Sequence, residues 1–333
     1  MVIDSAYIEI TSYCNLNCKH CYNNSGGNGN SMSILELKKI VRFIKLYKIS
    51  EVIISGGEPL LNNNIYFFVN ELSNLGISIK LVTNGTIINS DFLACAPLFD
   101  DIQISLEGSL AEIHEKIRGE NSYNTTIENI KLLQKVCNKV SAKTTISIYN
   151  FFDVENLIRL SMSLKMRKIA FSPLIPIGRA KANSEQYLCC SEKELLNTIR
   201  LLNILKDKYS KWIIVLPPVI QSGCPILNND SHAFRTVRID PRGNLYPCAS
   251  ITNDKYMIGN VFDSEVIKIS QDYEKNLKEK VNERTTICNR CILHNICGGG
   301  CLAYDNVKEN ADFDSFCTNR RFSLFGEKMR NVL

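Results

Sequence analysis

Residues 7–22 read YIEITSYCNLNCKHCY. The first five, YIEIT, have the β-branched and aromatic content of a strand. Directly after them come Cys14, Cys18 and Cys21, spaced C-x3-C-x2-C. In a chain with 14 Cys among 333 residues, such a triple arises by chance at a rate of roughly 0.025. Three thiolates are one short of the usual four for a cubane iron–sulfur cluster, so one iron is left open to an outside ligand. The alternatives are a zinc site, which needs a fourth ligand such as His20, and an unligated set of thiols.

Outward from this strand the pattern alternates. Residues 33–47 place Ile34, Leu37, Val41 and Ile44 on one helical stripe, with Ser33 as the N-cap. Residues 51–55 (EVIIS) read as a buried strand ending in Gly56-Gly57, and residues 65–75 as a helix stopped by Gly76. Strands follow at 78–83 and 101–105, helices at 110–117 and 125–137, a strand at 142–148, a helix at 154–164 and a strand at 168–174. With a helix at 192–209 this makes six strand–helix units. Parallel strands with right-handed crossovers are expected, curled into a partial (β/α)6 TIM-like barrel of the α/β class. Ligands then sit at the carboxyl ends of the strands.

Beyond about residue 210 the helical periodicity fades. Residues 238–247 (RIDPRGNLYP) read as a hairpin turning at Arg242-Gly243-Asn244, with one helix near 264–280. The segment 288–317 has too few apolar residues for a core of its own and needs staples. The expected division is a barrel at 1–210 and a small, loop-rich, cluster-stapled domain at 211–333. Residues 23–30, rich in Asn and Gly, read as a loop.

Composition narrows the function classes. The chain is 45% hydrophobic and 22% charged, with 39 Lys plus Arg against 34 Asp plus Glu. A net charge of +5 without a run of like charges announces no nucleic-acid or membrane partner. The N-terminus lacks a secretory signal, and the longest apolar stretch, 212–220, is too short to span a bilayer and contains Pro217 and Pro218. A cytoplasmic location with reduced thiols is expected, where cysteines bind metal, act in catalysis or fill cores.

Cys14-x3-Cys18-x2-Cys21-Tyr22, with Gly56-Gly57-Glu58-Pro59 after the second strand, resembles the radical SAM superfamily. The resemblance implies a [4Fe–4S] cluster on the three cysteines, whose open iron chelates S-adenosylmethionine. Reduction by one electron then yields a 5′-deoxyadenosyl radical that abstracts a substrate hydrogen. It further implies that Gly56, Gly57 and Glu58 meet the SAM amino group, that Thr83, Asn84 and Gly85 (TNG) and Ser105 (SLEG) face SAM, and that Arg118 is a candidate for its carboxylate. Gly178-Arg179-Ala180 is expected near the adenosine.

Cys288, Cys291, Cys297 and Cys301 read C-x2-C-x5-C-x3-C; Cys224, Gly243-x4-Cys248 and Cys317 complete a set that resembles the seven-cysteine SPASM domain. That resemblance implies two auxiliary [4Fe–4S] clusters: one on Cys288, Cys291, Cys297 and Cys317, the other on Cys224, Cys248 and Cys301. Cys189 or Cys190, a substrate atom, or nothing completes the second. The 18 residues between Cys224 and Gly243 exceed the usual spacing. A zinc ribbon is the alternative, but seven ligands exceed what one zinc takes. Cys95 and Cys137 read as small core residues.

The resemblance implies an enzyme that modifies a peptide or protein by cross-linking, oxidation or dehydrogenation. The alternatives are maturation of a tetrapyrrole- or quinone-type cofactor precursor, sulfatase-maturase-like formylglycine formation, and a non-catalytic electron carrier, against which the G-G-E-P and T-N-G elements argue. An RNA-modifying enzyme would need a stronger basic face. A flavodoxin- or ferredoxin-type electron donor is an implied partner. Only 13 residues precede Cys14, so no fused leader-binding domain is expected; either a separate protein presents the precursor or the substrate needs no leader.

Overall fold

The computed structural model describes residues 3–174, 177–182, 192–209, 212–215 and 236–263. Its frame is one sheet. Strands β1 (Ser5–Glu9), β2 (Glu51–Ser55), β3 (Ser78–Thr83), β4 (Asp101–Ser105), β5 (Val140–Ile146), β6 (Ile169–Pro173) and β7 (Ile213–Val215) pair in sequence order, all parallel. On the other side of β1 lies β8 (Thr236–Ile239), also parallel, followed by the antiparallel β9 (Asn244–Tyr246) and β10 (Gly259–Asn260). Helices α1 (Ile34–Tyr47), α2 (Ile65–Asn74), α3 (Ser90–Cys95), α4 (Ala111–Arg118), α5 (Ser122–Leu133), α6 (Val154–Ser163), α7 (Arg179–Ala182) and α8 (Glu192–Lys208) fill the crossovers. This is the expected partial barrel of strand–helix units.

Local sequence accounts for the elements. At α1, Ser33 and Glu36 form a reciprocal capping box, with Ser33 N–H donating to Glu36 Oε2 at 2.8 Å. Such a cap contributes about 1 kcal/mol. Strand alternation sorts side chains between two faces. Ala6, Ile8, Val52, Ile54, Ile79, Leu81, Ile102 and Ile104 turn outward and are fully buried together with Leu37, Ile40, Phe68, Leu72, Leu157 and Ile158 of the helices. The alternate positions, among them Tyr7, Ser55, Val82, Ser105, Lys143, Thr145 and Ser172, line a cavity instead.

Several particulars differ from the sequence reading. β1 begins at Ser5 and ends at Glu9, because Thr11 and Tyr13 turn their carbonyls to the N–H groups of Gly57 and Glu58, both at 2.7 Å. α3, unread in the sequence, is only six residues long and is capped by Asn89, which accepts from Phe92 N–H at 2.8 Å. The hairpin of β8 and β9 forms as expected, but β8 docks on β1, so the sheet continues across residue 210. The helix expected near 264–280 lies outside the described residues. Among the described residues no helix is long and apolar enough to cross a membrane.

Candidate active site

The cavity, about 290 Å³, opens at the carboxyl ends of the strands. Cys14, Cys18 and Cys21 lie on its wall. The loop carrying them is held from two sides. On one side is the Gly56-Gly57 turn: a Cβ on Gly57 would lie 2.2 Å from the Tyr13 carbonyl, and Gly56 has φ +146° with the Thr11 carbonyl equally close. Only glycine permits that approach. On the other side, Gly178 (φ +59°) sits against the Tyr22 carbonyl. Arg179 donates from its backbone N–H to Cys21 O (2.8 Å), from Nε to Cys18 O (2.8 Å) and from Nη2 to Ser25 O (2.7 Å). Arg179, expected near an adenosine, lines the cavity and also clamps the cysteine loop.

The other sequence-predicted positions divide. Gly56, Gly57, Thr83, Asn84, Ser105 and Arg118 all line the cavity with the cysteines. The Glu58 carboxylate turns into the scaffold, accepting from Thr83 Oγ1 (2.8 Å), Asn84 N–H (2.8 Å) and Leu60 N–H (3.2 Å). Full burial raises its pKa to about 7 against the pull of those donors. Cys248 is described, close to the cavity-lining Ala249 and Ser250. Cys137 is in the core and Cys95 packs against it. Cys189, Cys190, Cys224, Cys288, Cys291, Cys297, Cys301 and Cys317 lie outside the described residues.

Arg118 is not free in the cavity. It grips Glu107 through Nη2 (2.8 Å) and Nε (3.3 Å), and its Nη1 lies 3.9 Å from Cys18 Sγ. Glu107 also meets His20 Nε2 at 3.3 Å and accepts from Thr145 N–H at 2.8 Å. Burial alone would raise the Glu107 pKa, but the Arg118 and His20 charges hold it well below the usual carboxylate range. His20 thus meets a carboxylate through Nε2, and its buried Nδ1 has no hydrogen-bond partner among the described residues.

The donor set fits an iron–sulfur cluster. Burial pushes the Cys14 thiol up to about 11, and the charges of Glu58, Cys18 and Cys21 push the same way. Burial also raises Cys18, with Arg118 opposing. Thiols that raise one another's pKa stay protonated at neutral pH unless a cation compensates their charge, and metal coordination deprotonates a thiol outright. Soft thiolates with an open position suit iron–sulfur chemistry.

Several lining residues escaped the sequence reading: Tyr7, Glu107 and Lys143, with the buried Glu9 behind them. The signal for them was a polar or ionisable residue at alternate positions of otherwise apolar strands, as in YIE, SLE and AKT. Tyr22 donates to Glu9 and lies 3.3 Å from the Tyr7 hydroxyl, which donates to Ser55 Oγ at 2.7 Å.

Comparison with known proteins agrees with this geometry. The model of the radical SAM superfamily matches residues 8–160, and that of the SPASM iron–sulfur cluster-binding domain matches residues 231–292. Mycofactocin maturase MftC of Mycobacterium tuberculosis is 27% identical over 312 residues, covering 89% of this chain and 77% of MftC. An AdoMet-dependent heme synthase of Oleidesulfovibrio alaskensis is 24% identical over 317 residues, covering 87% of this chain and 80% of the synthase. In fold, the chain is similar to Streptococcus suis SuiB, both in its complex with S-adenosylmethionine (TM-score 0.72, 14% identity, 91% of this chain and 73% of SuiB) and in its complex with the precursor peptide SuiA (TM-score 0.72, 16% identity, 91% and 72%). The chain belongs to the radical SAM superfamily with a SPASM segment, an enzyme whose cofactors are S-adenosylmethionine and [4Fe–4S] clusters.

Proposed function

We propose that the chain matures a peptide or protein by radical modification of a side chain or Cα. The observation that carries the chemistry is the cavity itself: three thiols, the Gly56-Gly57 turn and the ionisable groups of Glu107, Arg118 and Lys143 line it together. When bound and reduced, the cluster and S-adenosylmethionine supply a 5′-deoxyadenosyl radical. The chain's own part is position and exclusion of water. Cys14, Cys18 and Cys21 would hold the cluster, with Arg179 and Gly178 fixing their loop. The backbone of Gly56 and Gly57 would offer acceptors to the SAM amino group, and Thr83, Asn84 and Ser105, which line the same cavity, would contact SAM. Arg118, paired with Glu107 and 3.9 Å from Cys18 Sγ through Nη1, is the proposed partner of the SAM carboxylate.

The barrel at 1–210 and the cluster-bearing segment at 211–333 form the proposed division. Cys224, Cys248, Cys288, Cys291, Cys297, Cys301 and Cys317 are the proposed ligands of two auxiliary clusters. A flavodoxin- or ferredoxin-type protein is the proposed electron donor, and a separate leader-binding protein the proposed presenter. Similarity to MftC and to the peptide-bound SuiB fold supports the peptide substrate. Similarity to the heme synthase favours a second reading, maturation of a tetrapyrrole. The test is anaerobic incubation of the cluster-loaded protein with SAM, a reductant and short peptides encoded beside its gene. A mass change in a peptide supports the first reading. No change in any peptide, with turnover of a tetrapyrrole precursor, replaces it with the second.

A further inference from the structure

The cavity holds three long basic side chains whose engagements differ. Arg118 is paired with Glu107, and Arg179 is bonded to the carbonyls of Cys18 and Ser25. Lys143 has no ion pair and no side-chain hydrogen bond among the described residues. It stands on β5, a strand otherwise filled by small or β-branched residues. Two positions on, Thr145 shares its face, and across the ladder from Thr145 is Ser172 of β6. All three line the cavity, and neither hydroxyl has a hydrogen-bond partner among the described residues.

Lys143 is half-buried on the cavity lining, and the cost of an ammonium drawn partly out of water with no anion beside it is offset by an anion that reaches it. Burial lowers the proton affinity of Lys143, while the charge of Glu107 opposes that shift. Glu107 is already saturated by Arg118, His20 and Thr145 N–H. The patch therefore lacks one group: an acceptor with negative charge and room for two hydroxyl donors. A carboxylate meets that description.

Its source follows from distance to the thiols. Held by a cluster on these cysteines, SAM would have its amino-acid end near them, where Asn84 Nδ2 lies 3.9 Å from Cys14 Sγ and Arg118 Nη1 lies 3.9 Å from Cys18 Sγ. Lys143 contacts none of the three thiols. We propose that Lys143, with the hydroxyls of Thr145 and Ser172, binds a carboxylate of the substrate itself, a side-chain Asp or Glu or a C-terminal carboxylate. This rests on the reading of the substrate as a peptide and assigns it one acidic anchor point on the cavity lining.

The test is equilibrium dialysis of the full, cluster-loaded chain with SAM present, using three small probes. N-acetyl-glutamate α-amide carries only a side-chain carboxylate, N-acetyl-alanine only an α-carboxylate, and N-acetyl-glutamine α-amide is neutral. One charged probe is expected to bind at least about tenfold more tightly than the neutral one. Lys143→Gln is expected to lose that preference, Lys143→Arg to keep part of it, and both to retain labelled SAM as the parent chain does. The charged probe that binds names the source. The proposal is overturned if neither charged probe binds, if the neutral probe binds equally, or if Lys143→Gln keeps the preference. It is also overturned if Lys143→Gln loses SAM while Lys143→Arg keeps it, which gives the lysine to the cofactor. Failure of peptide maturation is read separately, as the missing mass change above.

Discussion

Arg238 and Glu9, 229 residues apart in sequence, meet in a two-pronged buried ion pair, Nε to Oε1 at 3.0 Å and Nη2 to Oε2 at 2.8 Å. The same guanidinium donates to Ile251 O at 3.0 Å and lies over the Tyr246 ring, and Glu9 in turn accepts from Tyr22, the residue after Cys21. The pair ties β8, and the turn carrying Cys248, to the first strand of the barrel. Removing one partner leaves a buried charge alone, which typically costs about 3–5 kcal/mol. Arg238→Met is therefore expected to lower the urea midpoint of the anaerobic protein sharply. The double variant Glu9→Gln/Arg238→Met should recover much of the loss, whereas an unchanged midpoint in the single variant would show that the pair does not hold β8.

The Arg179 clamp makes a different prediction. Arg179→Ala removes the side-chain donors to Cys18 O and Ser25 O and leaves only the backbone bond to Cys21 O and the Gly178 contact on that side of the cysteine loop. Iron retained after gel filtration should fall toward the level of a Cys14→Ala/Cys18→Ala/Cys21→Ala variant. Retention equal to the parent would show that the loop keeps its shape without the clamp.

Gly57→Ala would place a methyl 2.2 Å from the Tyr13 carbonyl, a backbone atom that cannot swing aside. Overpacking of this kind typically costs about 1–3 kcal/mol, and here the strain falls on the cysteine loop. SAM cleavage is expected to drop by more than about tenfold with the fold retained, as a displacement of about 1 Å suffices for such losses. Cleavage at the parent rate would show that the loop tolerates the shift.

Much of the scaffold was legible locally. Ser33 with Glu36, the SIKLVT alternation of β3 and the glycines after β2 each carry their own physical cause within a few residues. The non-local features were not legible. That β8 lies on β1 depends on Arg238 meeting Glu9, a contact no window of sequence contains. Glu58 belongs to a motif whose position is readable, but its side-chain direction is set by three donors that fold around it, the Thr83 hydroxyl and the backbone N–H groups of Asn84 and Leu60. Lys143 is one polar residue in a strand, and only the closed arrangement of β4, β5 and β6 reveals that it faces a cavity.

His114 gives a pH signature. Burial lowers its pKa to about 3, and its Nδ1 accepts from Glu107 N–H at 3.2 Å, so the fold holds the neutral ring. A depressed histidine contributes stability that is complete above its unfolded value near 6.5 and is lost as pH falls toward 3. The slope approaches about 1.4 kcal/mol per pH unit for one proton. His114→Asn keeps an acceptor in reach of the Glu107 N–H and cannot titrate. The stability difference between parent and variant should narrow as pH falls from 7 to 5; a constant difference would exclude this role.

The central claim is that Cys14, Cys18 and Cys21 build a SAM-cleaving site on the cavity wall. The most direct measurement is 5′-deoxyadenosine formed from SAM by the reduced, cluster-loaded chain, beside the Cys14→Ala/Cys18→Ala/Cys21→Ala variant. The account predicts 5′-deoxyadenosine and methionine from the parent and none from the variant. No product from the parent, or equal product from both, would contradict it.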